Sequence, residues 1–505
     1  MRTVGGNTDH VVVVGAGLAG LSAALQLAGR GRAVTVVERG EHPGGRVGRA
    51  DIGGYRLDTG PTVLTMPDII DDAFAAVGET TADRLELINV EPAYRASFAD
   101  GSGLHVHSDP DAMAAEIERF AGAGQADGYR RLRNWLTKLY QVEFDGFIAS
   151  NFDSPLALVT PQLARLTAIG GFRRWDRMVR RFITDERLQR VFTFQALYAG
   201  VPPHRALAVY AVIAYMDTIA GVYFPRGGMR ALPDGLAAAA ADAGVEFRYN
   251  SAVSTLERSG DRVTAVCTEA GDRIPADAVV LTTELPDTYR LLERTPRRLL
   301  RLRPAPSAVV AHVGCRAVES GDAGSDHHTI VFGDSWRQTF TDIIDDGRLM
   351  TDPSLLVTRP TAGDRSLAPA GRDLLYVLAP APNLDVGHVD WASMRNTYVK
   401  QMIDTVTARL PQLGRDAEVL HVVDPAEWAR QGMAAGTPFA LAHTFGQTGP
   451  FRPANTVRGV ANVVLAGSST VPGVGVPTAI LSGRLAADRI TGSPARRART
   501  QVVPT

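Results

Sequence analysis

The first patterned segment of the chain is an apolar run, His10 to Val14, that does not alternate with polar positions. A run of that kind reads as a strand buried on both faces, the habit of parallel sheets. Behind it, Leu18, Leu21, Leu25 and Ala28 recur at helical spacing as far as Gly29–Gly31, which predicts a helix with one apolar stripe. Ala33 to Val37 is a second strand-like run and closes on Glu38. Strand, helix and strand make a complete β-α-β unit.

The texture changes over residues 72–221. Segments rich in Ala, Leu, Arg and Glu, such as Asp111–Phe120 and Asp127–Tyr140, predict helices, and Phe182–Tyr198 is dense in aromatics. This span is expected to be a mainly helical insertion and substrate region. The pattern then returns to short strands: Val222 to Met229, a helix to Ala243, a strand at Glu246–Tyr249, and alternating runs Ala252–Leu256 and Val263–Thr268. The alternation predicts an antiparallel meander. Ala278–Leu281 is another buried strand, and strand-like runs continue from Val309 to about Ala379. A last strand, Val463–Gly467, leads through a glycine-rich loop to a helix from about Pro477 to Ile490. The predicted organisation is a first nucleotide-binding part at 8–71, the insertion at 72–221, a second nucleotide-binding part at 222–300, a mixed-sheet substrate domain at 301–455, a final nucleotide-binding part at 456–490, and a disordered tail at 491–505. A length of 505 residues fits several structural units.

Charge narrows the partners. Fifty-three basic against 54 acidic side chains leave a net charge of −1, without the positive field of a nucleic-acid binder. Lys138 and Lys400 are the lysines, so arginine carries nearly all the positive charge. Two cysteines, Cys267 and Cys315, are too few for a disulfide framework or a structural zinc site, and no metal is expected. Met1–His10 has no leader pattern, and no apolar stretch reaches spanning length; Ala206–Phe224 comes nearest and Asp217 interrupts it.

Gly15, Gly17 and Gly20 have the spacing of a dinucleotide fingerprint: a tight turn, a close approach to a pyrophosphate, and a close helix–strand contact. Leu18 and Ala19 open the helix whose N-terminus faces the phosphates. Glu38 stands where a carboxylate accepts hydrogen bonds from ribose hydroxyls and repels a 2′-phosphate. The motif alone does not separate FAD from NAD.

The continuation does. Glu38 to Arg46, with Gly44-Gly45-Arg46, and then Gly53 to Pro61 resemble the large flavoprotein class that contains monoamine oxidases, protoporphyrinogen oxidases and carotene desaturases. Tyr223 to Met229, His327 to Gly333, Asp352 to Leu355, Arg359-Pro360-Thr361, Leu374 to Leu378, Phe451-Arg452-Pro453 and Gly467 to Pro477 resemble bacterial-type phytoene desaturases over nearly the whole chain. Ala454-Asn455 and Ser468-Ser469-Thr470 depart from the histidine-containing versions of those motifs. The fold implied is α/β: a Rossmann-type FAD-binding fold with a mixed-sheet substrate domain and a helical membrane-facing insertion.

The same resemblance implies FAD as cofactor, held by Gly15, Gly17, Leu18, Ala19, Gly20, Glu38, Arg39, Gly45, Arg46, Thr59, Gly60, Pro61, Val253, Gly467, Gly475, Val476 and Pro477. It implies stepwise desaturation of 15-cis-phytoene towards lycopene, by hydride transfer to flavin N5 and loss of an adjacent proton. Oxygen or a membrane quinone would be the electron acceptor. The rivals are another long isoprenoid, such as a C30 or partly desaturated carotenoid, and a flavin amine oxidase, which the scarcity of lysine disfavours. A non-redox isomerase or a flavin-bound scaffold stands farther off. Phe194, Tyr198, Tyr215 and Met216 are tunnel candidates against an ordinary helix core. Asp217 is a candidate base, with a structural, paired carboxylate as the favoured alternative, because a charge in so apolar a run is costly alone. His327 and His328 are read as structural or surface residues, with catalysis as the less favoured alternative. Burying each CH₂ contributes about 0.8 kcal/mol, so such a hydrocarbon stays in a bilayer. The expected location is cytoplasmic and peripherally membrane-associated, meeting the lipid surface through Ala206–Phe224 and Phe144–Phe152.

Overall fold

The computed structural model describes residues 1–296, 301–319, 321, 324 and 326–494. Its first sheet is five-stranded and parallel, in the order Glu246–Arg248, Ala33–Val37, His10–Val14, Ala278–Leu281, Val463–Leu465. Val11, Val12, Val13, Val279, Val280 and Val464 are fully buried there, which is why the apolar runs do not alternate. The helix Leu18–Ala28 lies on one face of this sheet, against the C-terminal helix Val476–Thr491. A Cβ at Gly483 would sit 2.2 Å from the Ala19 carbonyl oxygen, so the two backbones touch where a side chain has no room. The Ser22 hydroxyl donates to the Ile480 carbonyl at 2.7 Å across the same contact.

The second large sheet has seven strands, ordered Glu418–Val423, Ser307–Arg316, Arg372–Ala381, Leu355–Thr358, His328–Val331, Tyr94–Ser97, Gly103–Val106. It is mixed: His328–Val331 runs parallel to Tyr94–Ser97 and the other pairs are antiparallel. A smaller antiparallel meander spans Val253–Ser259, Arg262–Thr268 and Arg273–Pro275.

Two expectations change. The span 72–221 is mainly helical, yet its first part supplies strands: Leu87–Val90 pairs with Val222–Pro225, and Tyr94–Val106 forms the edge of the seven-stranded sheet. These segments are too short and too polar on one face to stand out beside the long helices. The run 206–224 is core and not a lipid-facing surface. It breaks into a 3-10 turn, the helix Val212–Thr218 and the strand Val222–Pro225, with Tyr210, Met216, Ile219, Val222 and Phe224 buried. Within 144–152, Phe144 and Ala149 are buried as well. Among the described residues, no helix is long and apolar enough to cross a membrane. The tail expected at 491–505 lies, from residue 495 on, outside the described residues, and the last helix continues to Thr491.

Candidate active site

A cavity of about 1020 Å³ opens at the C-terminal ends of the parallel strands, the place where open α/β sheets bind their ligands. Gly15 leaves the first strand at φ +104°, its N–H donating to the Val37 carbonyl at 2.8 Å. A Cβ on Gly20 would lie 1.9 Å from the Gly15 carbonyl oxygen. This closes the turn tightly and directs the N-terminus of the helix Leu18–Ala28 at the cavity. Gly17 is different: a Cβ there would meet nothing within 4 Å, and the residue lines the cavity. Its missing side chain therefore leaves space for a ligand and not for protein.

Glu38 ends the second strand with one carboxylate oxygen accepting from the Ala16 N–H at 2.7 Å and the other from the Gly40 N–H at 2.8 Å. Held in this way, it faces the cavity with lone pairs still available. The Gly44-Gly45 turn folds back onto the fingerprint, its Gly44 N–H donating to the Ala16 carbonyl at 2.9 Å. Arg46 forms an ion pair with Glu284 at the rim. From the other end of the chain, the loop Gly467–Gly475 enters the helix Val476–Thr491, whose free N–H groups and dipole point into the same space.

The buried side chain of Arg452 holds that loop. Its Nε donates to the Thr470 carbonyl at 2.8 Å and its Nη2 to the Ser468 carbonyl at 2.6 Å. No site role for Arg452 followed from the sequence. The signal was present in the quoted Phe451-Arg452-Pro453 motif, without anything to say what the guanidinium grips.

The cradle fits FAD. It offers an open glycine at the fingerprint, an acid at the end of the second strand, and two helix N-termini for a pyrophosphate and for an electron-rich ring. The structure brings Gly15, Gly17, Leu18, Ala19, Glu38, Arg39, Gly45, Arg46, Thr59, Gly60, Pro61, Val253, Gly467, Gly475 and Val476 to one cavity wall. Gly20 and Pro477 lie behind it, in helix packing.

The same cavity continues into an apolar half. Phe194, Tyr198, Phe332, Trp336, Leu356 and Tyr376 are among its walls. Phe194 and Phe332 meet edge to face at 6.0 Å, and Phe332 meets Trp336 in the same way at 5.6 Å, the offset geometry that aromatic quadrupoles favour.

Tyr215 and Met216 are not part of this wall. Tyr215 stacks on Tyr140 with ring centroids 4.3 Å apart, and Met216 is packed in the core of the helical region. Asp217 is also absent from the lining. Its carboxylate takes two long hydrogen bonds from Gln195 Nε2, both 3.4 Å, and desolvation raises its pKa to about 8. The group is thus mainly protonated at neutral pH and has little capacity as a base. Its observed partner is the Gln195 amide, which fits the structural, paired carboxylate.

His328 departs most from expectation, because it lines the cavity. Its neighbour His327 is buried behind the wall, its ring 4.8 Å from that of Phe224.

Residues 18–491 match the family of flavin containing amine oxidoreductases. The chain is 62% identical to a phytoene dehydrogenase of Streptomyces griseus, over 99% of this chain and 98% of that one. It is 36% identical to a zeta-carotene-forming phytoene desaturase of Myxococcus xanthus, over 95% and 93% of the two chains. A lycopene-forming phytoene desaturase of Paracoccus sp. is 30% identical, over 94% and 96%. Among solved structures, a putrescine oxidase superposes with a TM-score of 0.61 at 16% identity, over 95% and 98% of the chains, a likeness of fold.

Proposed function

The chain belongs to the flavin containing amine oxidoreductase family, in its phytoene-desaturase branch, and from that premise we propose that it desaturates 15-cis-phytoene towards lycopene. It is an FAD-dependent oxidoreductase of the carotenoid desaturase type. The observation that carries the finer reading is the continuity of the cavity: a dinucleotide cradle and an aromatic, uncharged half share one space of about 1020 Å³. A clean hydrocarbon offers no hydrogen bonds, so such a wall orients it by shape and dispersion alone.

When bound, the flavin supplies the two-electron oxidising power of the reaction. The protein's own part is placement. The aromatic walls exclude water and hold an extended chain, and orientation of this kind supplies much of the rate. The helix N-terminus at Val476 favours negative charge on whatever ring system lies before it. An amine oxidase reading lacks support from the wall, since neither Lys138 nor Lys400 is part of it. Oxygen or a quinone is the proposed final acceptor.

Expression in a host that accumulates phytoene tests the reading. Pigments lighter by successive pairs of hydrogens, absorbing at progressively longer wavelength, are the expected products, and their masses count the steps. Unchanged phytoene beside yellow, FAD-loaded protein would move the substrate to another isoprenoid.

The reading includes peripheral attachment to a lipid surface, through residues other than those read from the sequence. Leu156 and Val159 are 80% and 79% exposed, and Phe172 and Phe445 stand at 41% and 60%. The turn Pro155–Leu158 packs beside Gly449–Phe451, and Phe445 contacts Phe451 at 5.6 Å. A second cavity of about 1000 Å³ is lined by Phe172 and Phe445, with Arg174 and Arg303 in its wall beside the ion pairs Arg205–Asp345 and Arg301–Asp385, a mix of apolar wedge and net-positive rim suited to anionic lipid. Leu156→Glu combined with Phe445→Glu is expected to release the protein from anionic vesicles with FAD still bound. Undiminished vesicle binding by that variant would remove this face from consideration.

A further inference from the structure

We propose that His328 is the base that takes the proton in each desaturation step, an assignment that rests on the desaturase reading above. Its ring is fixed by a relay. The Thr358 hydroxyl donates to Thr62 Oγ1 at 3.2 Å, and the same Thr358 oxygen lies 2.8 Å from His328 Nδ1. With its one hydrogen directed at Thr62, Thr358 accepts from Nδ1–H. In that arrangement Nδ1 carries the ring hydrogen and Nε2 the lone pair. The side chain is part of the cavity wall and bonds Thr358 through Nδ1, not through Nε2.

Position supports the role. Thr62 follows Thr59-Gly60-Pro61 in the cofactor half of the wall, while Ile330 and Phe332, from the strand that begins at His328 and the residue just after it, line the apolar half. The relay therefore sets the imidazole between wall residues of the cofactor half and of the apolar half. Other polar groups there are unsuited to the task. Burial holds the Tyr376 phenol protonated, Glu284 is ion-paired with Arg46, and Asp217 lies off the wall. Burial also keeps His328 neutral, pushing its pKa down to about 4. A weak base suffices, because a C–H beside an allylic cation is strongly acidic.

The balance is simple. With FAD bound as the oxidant, one C–H bond would break with its hydrogen leaving as hydride. The adjacent C–H then gives its proton to His328 Nε2, and its electron pair closes the new double bond. The hydrocarbon loses two electrons and two hydrogens, and the imidazolium returns its proton to solvent before the next step. Thr358 acts as a positioning residue through Nδ1.

The test compares FAD-loaded wild type, His328→Gln and Thr358→Val on phytoene in vesicles, with flavin content read from absorbance. Loss of a general base lowers turnover about 100-fold or more. His328→Gln is expected to show that fall in kcat with KM and FAD content unchanged, and Thr358→Val a smaller fall, again in kcat alone. Wild-type turnover in His328→Gln would overturn the assignment while leaving the desaturase reading intact. Should His328→Gln fail to load FAD, Thr358→Val decides, and an unchanged kcat there overturns it. A wild type inert on phytoene would defeat the desaturase reading itself, and this assignment with it.

Discussion

At the scale of single residues, two glycines of one fingerprint do opposite work. Gly20 is small because protein fills the place of its side chain, whereas Gly17 is small although nothing of the protein does. Gly17 has φ −70°, so an alanine there carries no backbone strain. Gly17→Ala should leave the melting temperature of the apoprotein unchanged and weaken FAD binding by about tenfold or more, the effect of losing roughly 1.4 kcal/mol of contact. Titration of FAD into the purified variant checks this; a destabilised apoprotein with normal affinity would contradict it.

Buried ionisable groups set a pH dependence whose sign can be worked out. Desolvation raises the Asp58 pKa to about 7 and that of Asp217 to about 8, and holds Glu143 well above the usual range. These carboxyls bind protons in the folded state that the unfolded chain has released. Their contribution is full below the unfolded value near 3.8–4.5 and is lost as pH rises through the folded values. His312 and His328, pushed down to about 4, act oppositely, and their contribution is lost as pH falls below about 6.5. The two effects oppose each other between about pH 4 and 6.5, and above that the carboxyls act alone. Thermal denaturation of the apoprotein should therefore show declining stability from about pH 7 to 8.5, with Asp217→Asn flattening part of the decline. A melting temperature constant or rising over that interval would refute the account of these carboxyls.

At the scale of elements, legibility followed period and length. The β-α-β unit was readable because a run buried on both faces and a helical stripe leave distinct patterns, and the observed limits His10–Val14, Leu18–Ala28 and Ala33–Val37 match them. The strands at Leu87–Val106 were not readable, since four-residue strands with polar edges leave little periodic signal. The run 206–224 was readable as apolar, but apolarity alone does not distinguish a lipid-facing surface from a core. His328 is a related case: its role depends on Thr358 across the strand pair and on Thr62, distant in sequence. Likewise Arg359 and Thr361, noted only as motif residues, close on the buried Asp373 at 2.8 and 2.6 Å and tie the strand Arg372–Ala381 to the turn before it. The contact between the first and last helices is the most sensitive of these joints. Gly483→Leu should lower the melting temperature and the FAD content together, by overpacking of about 1–3 kcal/mol, since it pushes both cavity-facing helix N-termini apart.

At the scale of the whole molecule, the nucleotide-binding unit is assembled from three separated stretches, and the parallel sheet joins them. Each of the three contributes a strand whose apolar run is visible in the sequence, at His10–Val14, Ala278–Leu281 and Val463–Leu465. The sequence could not indicate that the mixed sheet would turn its His328–Val331 strand towards the same cavity, which is a property of strand order. That arrangement gives one continuous space with a redox cradle at one end and aromatic walls at the other. If both ends act on one hydrocarbon, anaerobic mixing of the purified, FAD-loaded protein with phytoene in vesicles changes flavin and polyene absorbance together. Bleaching of the flavin in step with the appearance of longer-wavelength polyene bands is the predicted result. A flavin that stays oxidised beside bound, unchanged phytoene would contradict it.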